Sequence, residues 1–258
     1  YSTMITLNAD TDGDEINIHV PQDLESRAEL EELMKTTSNI VCSQGSEPLI
    51  GLTQDSLLGA WYLSKALLTR HDFMDLIYKG DVDISVLDDI TPNILKPKQF
   101  YSGYLLLTAL FMSLGINVNY KDIIKDNVVI KGTFNKDVLG VAKDSLFHIL
   151  FLEFGHLIAG KCMQTLQSFA TSYLDIHGFS VGIGDCIVEH DDILFDNLDR
   201  HLKSDMFKRN GKWTEEDESH LVGALTSVTS LEVEQDDDNN LLAMVKSGSK
   251  GKIINFNQ

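Results

Sequence analysis

Cysteine, basic residues and long apolar runs are all scarce in this sequence of 258 residues. The three cysteines, Cys42, Cys162 and Cys186, lie far apart and form no CxxC pair. Neither a zinc site nor a disulfide framework is therefore indicated, and we expect reduced, buried thiols. No apolar run reaches the roughly 18 residues that a membrane span needs. Because the first residues, Tyr1 to Met4, also lack the character of a signal peptide, we predict a soluble, intracellular chain.

Acidic side chains dominate the charge, with 39 Asp and Glu against 21 Lys and Arg and a formal net charge of -18. Proteins hold nucleic-acid phosphates with clustered Lys and Arg, which this balance does not supply. Any nucleic-acid partner must therefore be held mainly elsewhere. A hydrophobic content of 43% still permits a buried core, and the length suggests one large domain or two smaller ones.

Near the start of the chain, the residue pattern predicts a strand followed by a helix. Apolar and polar residues alternate from Ile16 to Val20, which indicates a short strand. Asp23 follows Pro21 and is a plausible helix N-cap, and the residues through Met34 favour a helix. Four apolar side chains of this segment are expected to face a core: Ala28, Leu30, Leu33 and Met34.

The middle of the chain is predicted to be mixed α and β. Segments 54–68 and 101–114 have the apolar density of buried helices, and residues 128–130 read as a strand that enters a turn. A strong helix is predicted over 164–177, with Gly178 as its stop. A small apolar helix and a Gly/Ser/Lys-rich stretch are expected near the end of the chain.

The most informative pattern is a cluster of carboxylates, Asp10, Asp12 and Asp14, in a predicted loop between two strands. Carboxylates spaced two apart on an extended strand would be about 6.7 Å from one another, too far for one small ion. Magnesium binds oxygens at roughly 2.0–2.1 Å in an octahedral arrangement, so the backbone must curl, which Gly13 permits. A divalent ion would also remove the repulsion among three carboxylates. A magnesium-binding loop is therefore one hypothesis, and the alternative is a solvated acidic turn that binds no metal.

The same residues can be compared with two other known motifs that contain clustered acidic residues. An EF-hand loop that starts at Asp10 needs Gly at its sixth position and Glu at its twelfth, where this sequence has Glu15 and Pro21. A phosphatase of the haloacid dehalogenase type uses an apolar strand followed by DxDGT. The segment from Met4 onward comes close to it, but Asp14 replaces the Thr. The EF-hand is excluded, and the phosphatase remains an alternative.

The string NADTDGDEINIHVPQ, from Asn8 to Gln22, resembles the NADFDGDEMNxHxPQ signature of the largest subunit of multisubunit DNA-directed RNA polymerases. Thr11 stands where that family has an aromatic residue, and Ile16 stands where it has Met. Neither position is a metal ligand, so the departures leave the ligand set intact. The first residue is Tyr1, close to this motif, and we expect the chain to be a fragment of a longer protein.

Other landmarks of the same family follow in the same order. They are Arg27–Leu30, Ser43–Asp55, Ile94–Lys98, Gly178–Asp185 and Met244–Gly251. These stretches resemble the helix after the catalytic loop, the PQxxxPxxGxxQD stretch, the IxKP turn, GxSxGIGD and MVxSGSKG. The resemblance covers nearly the whole chain except 69–90 and 188–238. It favours the eukaryotic, archaeal and viral branch, and the weak segments favour a divergent polymerase of a large DNA virus.

The resemblance implies an α+β fold with three parts. Residues 1–40 would end a double-psi β-barrel with the catalytic Asp loop and the following helix. Residues 41–187 would form a pore-like domain of mixed α and β structure, and residues 188–258 would begin a helical, funnel-like domain. The bridge helix and trigger loop would lie beyond Gln258, so the piece would be catalytically incomplete.

The resemblance also implies template-directed nucleotidyl transfer by a two-metal mechanism. Asp10, Asp12 and Asp14 would hold one Mg²⁺ ion, and a second would arrive with the nucleotide. Asn8 would contact the incoming ribose and Lys250 the nucleotide phosphates, although an Asn that shapes its own turn and a flexible surface loop are the alternatives. The implied partners are the second-largest subunit, other polymerase subunits, DNA template, RNA transcript and nucleoside triphosphates. A nuclear or viral-factory location would follow, and a catalytically silent scaffold is a further alternative.

Three remaining patterns are given structural interpretations. The glycine-rich segment Gly182–Asp185 follows a helix instead of opening one, so a tight turn is favoured over a phosphate-binding loop. His148, Glu153 and His156 do not have the HExxH spacing and stand among core-like residues, so no zinc site is expected. The acidic run 236–238 is predicted to be a solvated loop.

Overall fold

The computed structural model describes residues 2–10, 12–94, 99–186 and 239–252, together with Ser219 and Gly223. These residues form a mixture of helices and short strands in which helices predominate, so the predicted α+β class is confirmed in its coarse form. The chain divides into two compact units, Tyr1–Gly178 and Phe179–Gln258. The predicted division into three domains at 40 and 187 stays a prediction.

The first unit contains seven α-helices and four short strands among its described residues. In chain order they are α1 (Leu24–Glu32), α2 (Gln54–Lys65), β1 (Leu67–Thr69), α3 (Arg70–Lys79), β2 (Phe100–Ser102), α4 (Tyr104–Ser113), β3 (Ile124–Lys125), β4 (Val128–Val129), α5 (Lys136–Leu139), α6 (Leu146–Phe154) and α7 (His156–His177). Three 3₁₀ helices accompany them: Ser2–Leu7, Thr36–Asn39 and Ile84–Asp89. The described part of the second unit contains the 3₁₀ helix Gly184–Cys186 and α8 (Asn240–Ser247).

Helix α7 lies at the centre of the core of the first unit and packs against α2, α3 and α6. Its buried side chains include Leu166, Phe169 and Tyr173, which recur at helical spacing and place one apolar face inward. The helix ends where predicted, because Gly178 has φ +75° and donates its N–H to the carbonyl of Leu174. It begins earlier than predicted, at His156, directly after Gly155 separates it from α6.

Both segments predicted as buried helices contain one, but one end of each is a strand. Residues 67–69 pair antiparallel with residues 100–102, as β1 and β2. Gly103 follows β2 and donates its N–H to the carbonyl of Ala66. A Cβ atom at this position would overlap the backbone carbonyl of Leu63, so the approach of β2 to the end of α2 requires glycine. The strand predicted at 128–130 is confirmed as β4, which pairs with β3 in a hairpin.

The strand predicted from Ile16 to Val20 is wrong for this structure, and so is the loop between two strands. The Asp cluster instead follows the 3₁₀ helix Ser2–Leu7 and leads into a segment without regular structure. Ile18 is 92% exposed, and no described strand pairs with this segment. Alternation favours an extended backbone, but a strand also needs a partner to take its hydrogen bonds.

Helix α1 confirms its predicted cap but not its predicted packing. The Asp23 carboxylate accepts a hydrogen bond of 2.6 Å from the Ser26 N–H, as an N-cap should. No residue of α1 is buried, however, and the helix ends at Glu32. The expectation that four apolar side chains face a core is therefore wrong; all of them are exposed: Ala28, Leu30, Leu33 and Met34.

The cysteines are less buried than predicted. All three are free, but only Cys162 is buried, and its burial raises the pKa of the thiol. Cys42 is half-buried and Cys186 is exposed.

The small apolar helix predicted near the end of the chain is confirmed as α8. It is capped by Asn239, whose side chain accepts a hydrogen bond from the N–H of Leu242. The predicted acidic loop at 236–238 and all of the IxKP turn after Ile94 lie outside the described residues. Across the described ranges, no helix combines the length and apolar character needed to cross a bilayer.

Candidate metal centre

The three clustered carboxylates lie in a loop that is closed at its start by backbone hydrogen bonds. Asn8 donates its N–H to the carbonyl of Ile5, and Ala9 donates to Met4, both at 3.1 Å. These bonds end the 3₁₀ helix, and the positive φ of Asn8, +49°, turns the chain away from it. Gly13 has φ +124°, a backbone conformation that L side chains rarely adopt. The predicted role of Gly13 in a curled loop is therefore seen in the backbone.

The curl brings Asp10, Asp12 and Asp14 together. One carboxylate oxygen from each residue lies within 4.8 Å of the other two. Two hydrogen bonds support this arrangement: the N–H of Asp10 donates to Asp14 Oδ2 at 3.1 Å, and the N–H of Asp12 donates to Asp10 Oδ1 at 3.3 Å. All three side chains are exposed to solvent.

The close approach makes two of the carboxyl groups unequal. A hydrogen bond shared with the Asp12 side chain, together with the Asp12 backbone N–H, lowers the pKa of Asp10. The same side-chain bond raises the pKa of Asp12. The two carboxyl groups therefore compete for one proton, which is the expected behaviour of like charges brought close together. A cation at this position would compete with that proton.

The donor set fits magnesium. All three candidate ligands are carboxylate oxygens, the hard donors that Mg²⁺ prefers, and no thiol or imidazole is among them. Because the loop is exposed, water or a substrate can complete an octahedral shell around an ion held by the three carboxylates.

Comparison with known proteins connects this loop to a family. Residues 39–186 match RNA polymerase Rpb1, domain 3, and residues 1–36, which include the loop, match RNA polymerase Rpb1, domain 2. The chain belongs to the RNA polymerase Rpb1 family. The resemblance to the polymerase largest subunit that the motifs predicted is thereby confirmed.

Two curated relatives of this Rpb1-family chain are subunits of RNA polymerase II. They are DNA-directed RNA polymerase II subunit RPB1-A and subunit RPB1-B, both from Trypanosoma brucei brucei. Each is 31% identical to this chain over 197 residues, which cover 71% of this chain and 11% of the relative. The Rpb1-family chain thus spans about a tenth of the length of the relatives that it matches.

The two predicted substrate-binding residues of the Rpb1-family chain lie in different units. Asn8 is exposed and directly precedes the carboxylate loop, where its backbone also forms the turn. Lys250 belongs to the second unit, in the turn after α8, and its N–H lies 3.5 Å from the carbonyl of Met244. The nucleotide-binding role of each residue stays a prediction.

The motif at 182–185 forms the tight turn that the sequence predicted, and Asp185 organises it. Its Oδ2 accepts a 2.7 Å hydrogen bond from the N–H of Gly182, and its Oδ1 accepts a 2.8 Å bond from the N–H of Asn240. Asn239 donates to the carbonyl of Asp185, and Asn240 donates to that of Ser180. The turn therefore holds the first turn of α8.

Replacing Asp185 should loosen α8 in a pH-dependent way. The N–H groups of Asn240 and Gly182 lower the pKa of Asp185 below its ordinary value of 3.8, because they bind the charged form. Its stabilising contribution is therefore present above about pH 4 and is lost as the pH falls through the lowered pKa. We expect Asp185→Ala to speed amide exchange in α8 at pH 7, and the difference from the unchanged protein should shrink in acid. Exchange that is unchanged at pH 7, or equally affected by Asp122→Asn on an exposed turn, would contradict this assignment.

The sequence did not predict the contact that attaches Ser2 to the core. Ser2 begins the 3₁₀ helix that precedes the carboxylate loop. The buried Ser2 donates from its N–H at 3.2 Å and from its hydroxyl at 2.6 Å to Oε1 of Gln167 on α7. The two residues are 165 positions apart, and neither belongs to a recognisable motif.

The sequence pattern His148, Glu153 and His156 was given a structural interpretation. In the structure, His148 is buried in α6, where its Nδ1 accepts a hydrogen bond of 3.0 Å from the N–H of Asp144.

Proposed function

We propose that this chain supplies the catalytic magnesium-binding loop of a DNA-directed RNA polymerase, an enzyme that transfers nucleotides under the direction of a template. The observation that carries the proposal is the convergence of three carboxylate oxygens within 4.8 Å, in a segment that matches Rpb1 domain 2. Three like charges brought together in this way repel one another, and a bound cation would remove that repulsion. This argues against a catalytically silent scaffold.

Each residue of the loop has a distinct role in this proposal. Asp10, Asp12 and Asp14 hold the ion through carboxylate oxygens, and the exposure of all three leaves the remaining ligand positions open toward substrate. When bound, Mg²⁺ supplies Lewis acidity toward the RNA 3′-hydroxyl, and a second ion accompanies the nucleotide as part of the substrate. Asn8 orients the ribose of the incoming nucleotide, and Lys250 neutralises charge on its phosphates.

In this proposal, other chains make most of the contacts with nucleic acid. A net charge of -18 leaves little basic surface here, so the second-largest subunit and other polymerase subunits hold the DNA template and the RNA transcript. Residues 1–40 belong to the end of a double-psi β-barrel, and residues 188–258 begin a funnel-like domain. The proposed location is intracellular, in the nucleus or in a cytoplasmic viral factory or virion, and a large DNA virus is the proposed source.

The isolated chain is expected to extend no RNA and to hydrolyse no phosphate ester. Extension needs a template, a nucleotide and the basic residues of the second-largest subunit. The measurement is primer extension beside p-nitrophenyl phosphate turnover at saturating magnesium, with Asp10→Asn as the matched control. Phosphatase turnover that disappears in Asp10→Asn would instead favour the haloacid dehalogenase-type alternative, in which Asp10 is a nucleophile.

A further inference from the structure

A histidine side chain, not the N-cap serine, holds the turn that precedes α6. Ser145 is the N-cap residue, but its buried hydroxyl makes no hydrogen bond with any described residue. His148, the third residue of α6, is 4% exposed, and its Nδ1 accepts a 3.0 Å hydrogen bond from the N–H of Asp144. A backbone N–H can only donate, so Nδ1 carries no hydrogen and the ring is neutral.

Two further hydrogen bonds hold the same turn. The N–H of Ser145 donates to the carbonyl of Ala142 at 3.2 Å, and the hydroxyl of the buried Tyr120 donates to the carbonyl of Asp144 at 3.1 Å. Asp144 itself has φ +59°, a backbone conformation that is uncommon for residues other than glycine. The bond to His148 therefore helps to keep Asp144 in a conformation that the residue does not favour by itself.

Protonation of His148 would reverse the role of Nδ1. In the imidazolium form both ring nitrogens donate, so Nδ1 and the N–H of Asp144 would face each other as two donors, and the bond between them must break. A replacement acceptor is close, because Asp144 Oδ1 lies 3.9 Å from Nδ1 and this side chain is 70% exposed. A bond to the carboxylate would pair the positive charge that protonation places in a buried position.

The other charges around the ring leave this pairing to Asp144. The remaining charged and histidine side chains of α6 and of helices α5 and α7, which pack against it, make no hydrogen bond or ion pair with His148: Glu153, Lys136, Asp137, His156, Lys161, Asp175 and His177. On the other side of the turn, the ammonium of Lys121 lies 4.9 Å from the centroid of the Tyr120 ring. Asp144 is therefore the acceptor that is available to a protonated ring.

We propose that His148 and Asp144 form a pH-sensitive latch on the turn before α6. In the closed state the neutral ring accepts from the Asp144 N–H. In the open state a proton from solvent occupies Nδ1, and the imidazolium donates to the Asp144 carboxylate. A fall in pH thereby loosens the connection between α5 and α6, while the core around α7 stays formed. This device is independent of the proposed polymerase function.

The N–H of Asp144 reports the state of the latch directly. We expect NMR of the ¹⁵N-labelled chain to show its protection from solvent exchange, relative to an unstructured amide. This protection should fall about tenfold between about pH 7.5 and about pH 5.5, which brackets the ordinary titration of imidazole and corresponds to the loss of one hydrogen bond. The fall should follow the protonation of the His148 ring, and the amides on the buried face of α7 should keep their protection.

Three variants make the outcome decisive. His148→Asn keeps an acceptor near the position of Nδ1 and takes up no proton, so its Asp144 N–H should stay protected throughout. Asp144→Asn removes the carboxylate that receives the imidazolium, so its latch should open at a lower pH. His71→Asn is the matched control, because His71 is 91% exposed, and it should behave like the unchanged chain.

Four results would overturn the proposal. They are protection of the Asp144 N–H that does not change with pH, an equal change in His148→Asn, simultaneous loss of protection in α7, and opening of Asp144→Asn at the same pH as the unchanged chain. Because Asp144→Asn keeps the imidazole in place, the test stands even if His148→Asn does not fold.

Discussion

Asp12→Ala, introduced into the assembled polymerase, is expected to lower nucleotide addition by roughly a thousandfold or more while subunit assembly continues. Asp12 offers one of the three oxygens that converge in the loop, so its removal leaves an incomplete ligand set. The side chain is exposed and buries no apolar surface, and its loss also relieves repulsion in the ion-free loop. Primer extension at saturating magnesium, run beside a thermal melt, measures both effects.

The matched control for this experiment is Glu15→Ala. Glu15 is exposed and follows the triad directly, so its replacement removes the same charge without removing a candidate ligand. We expect it to retain most activity. Near-normal extension by the Asp12→Ala enzyme would mean that the three aspartates have been misassigned, and a collapse of its melting temperature would mean that the loop is structural.

Gly103→Ala is expected to destabilise the first unit by about 3 kcal/mol. The added Cβ would overlap the carbonyl of Leu63, a backbone atom that cannot turn aside as a flexible side chain can. Relief would require β2 to move away from the end of α2, which would stretch the hydrogen bond from Gly103 to Ala66. Chemical denaturation of the chain measures the change in the free energy of unfolding.

Gly45→Ala is the comparison that isolates this steric effect. Gly45 is exposed, and a Cβ atom there would meet only the side chain of Glu47 at 3.8 Å, an ordinary contact. We expect its free energy of unfolding to stay within about 0.5 kcal/mol of the original. If both alanine variants unfold alike, the close approach of β2 to α2 does not limit stability.

Local patterns predicted α1, α2, α4, α7 and α8, although not α3, α5 or α6, because the information for those five helices is local. The apolar spacing that predicted α7 recurs as its buried face. The glycine stop at Gly178 and the side-chain cap at Asp23 are both present. The carboxylate loop was predictable for a similar reason. Spacing and Gly13 alone imply that the backbone must curl if the three side chains are to share one ion.

Contacts between distant parts of the chain could not be predicted in this way. The apolar residues of α1 look suited to a core, but none of them is buried. Burial depends on which element packs against the helix, and the sequence of one helix does not identify that element. The bond from Ser2 to Gln167 joins two ordinary polar residues. Strands β1 and β2 continue apolar segments that also contain helices, so periodicity did not separate them.

The two sides of the carboxylate loop are held very differently. On one side, Ser2 is fixed to α7, whereas on the other Ile18 and Val20 are exposed in a segment without regular structure. An ion that binds there restricts the three exposed carboxylate side chains, and the conformational entropy lost offsets part of the binding free energy. A surface that packs against Ile18 and Val20 would remove that freedom before the ion arrives. Such a partner would raise the affinity for magnesium through preorganisation, without contributing a single ligand.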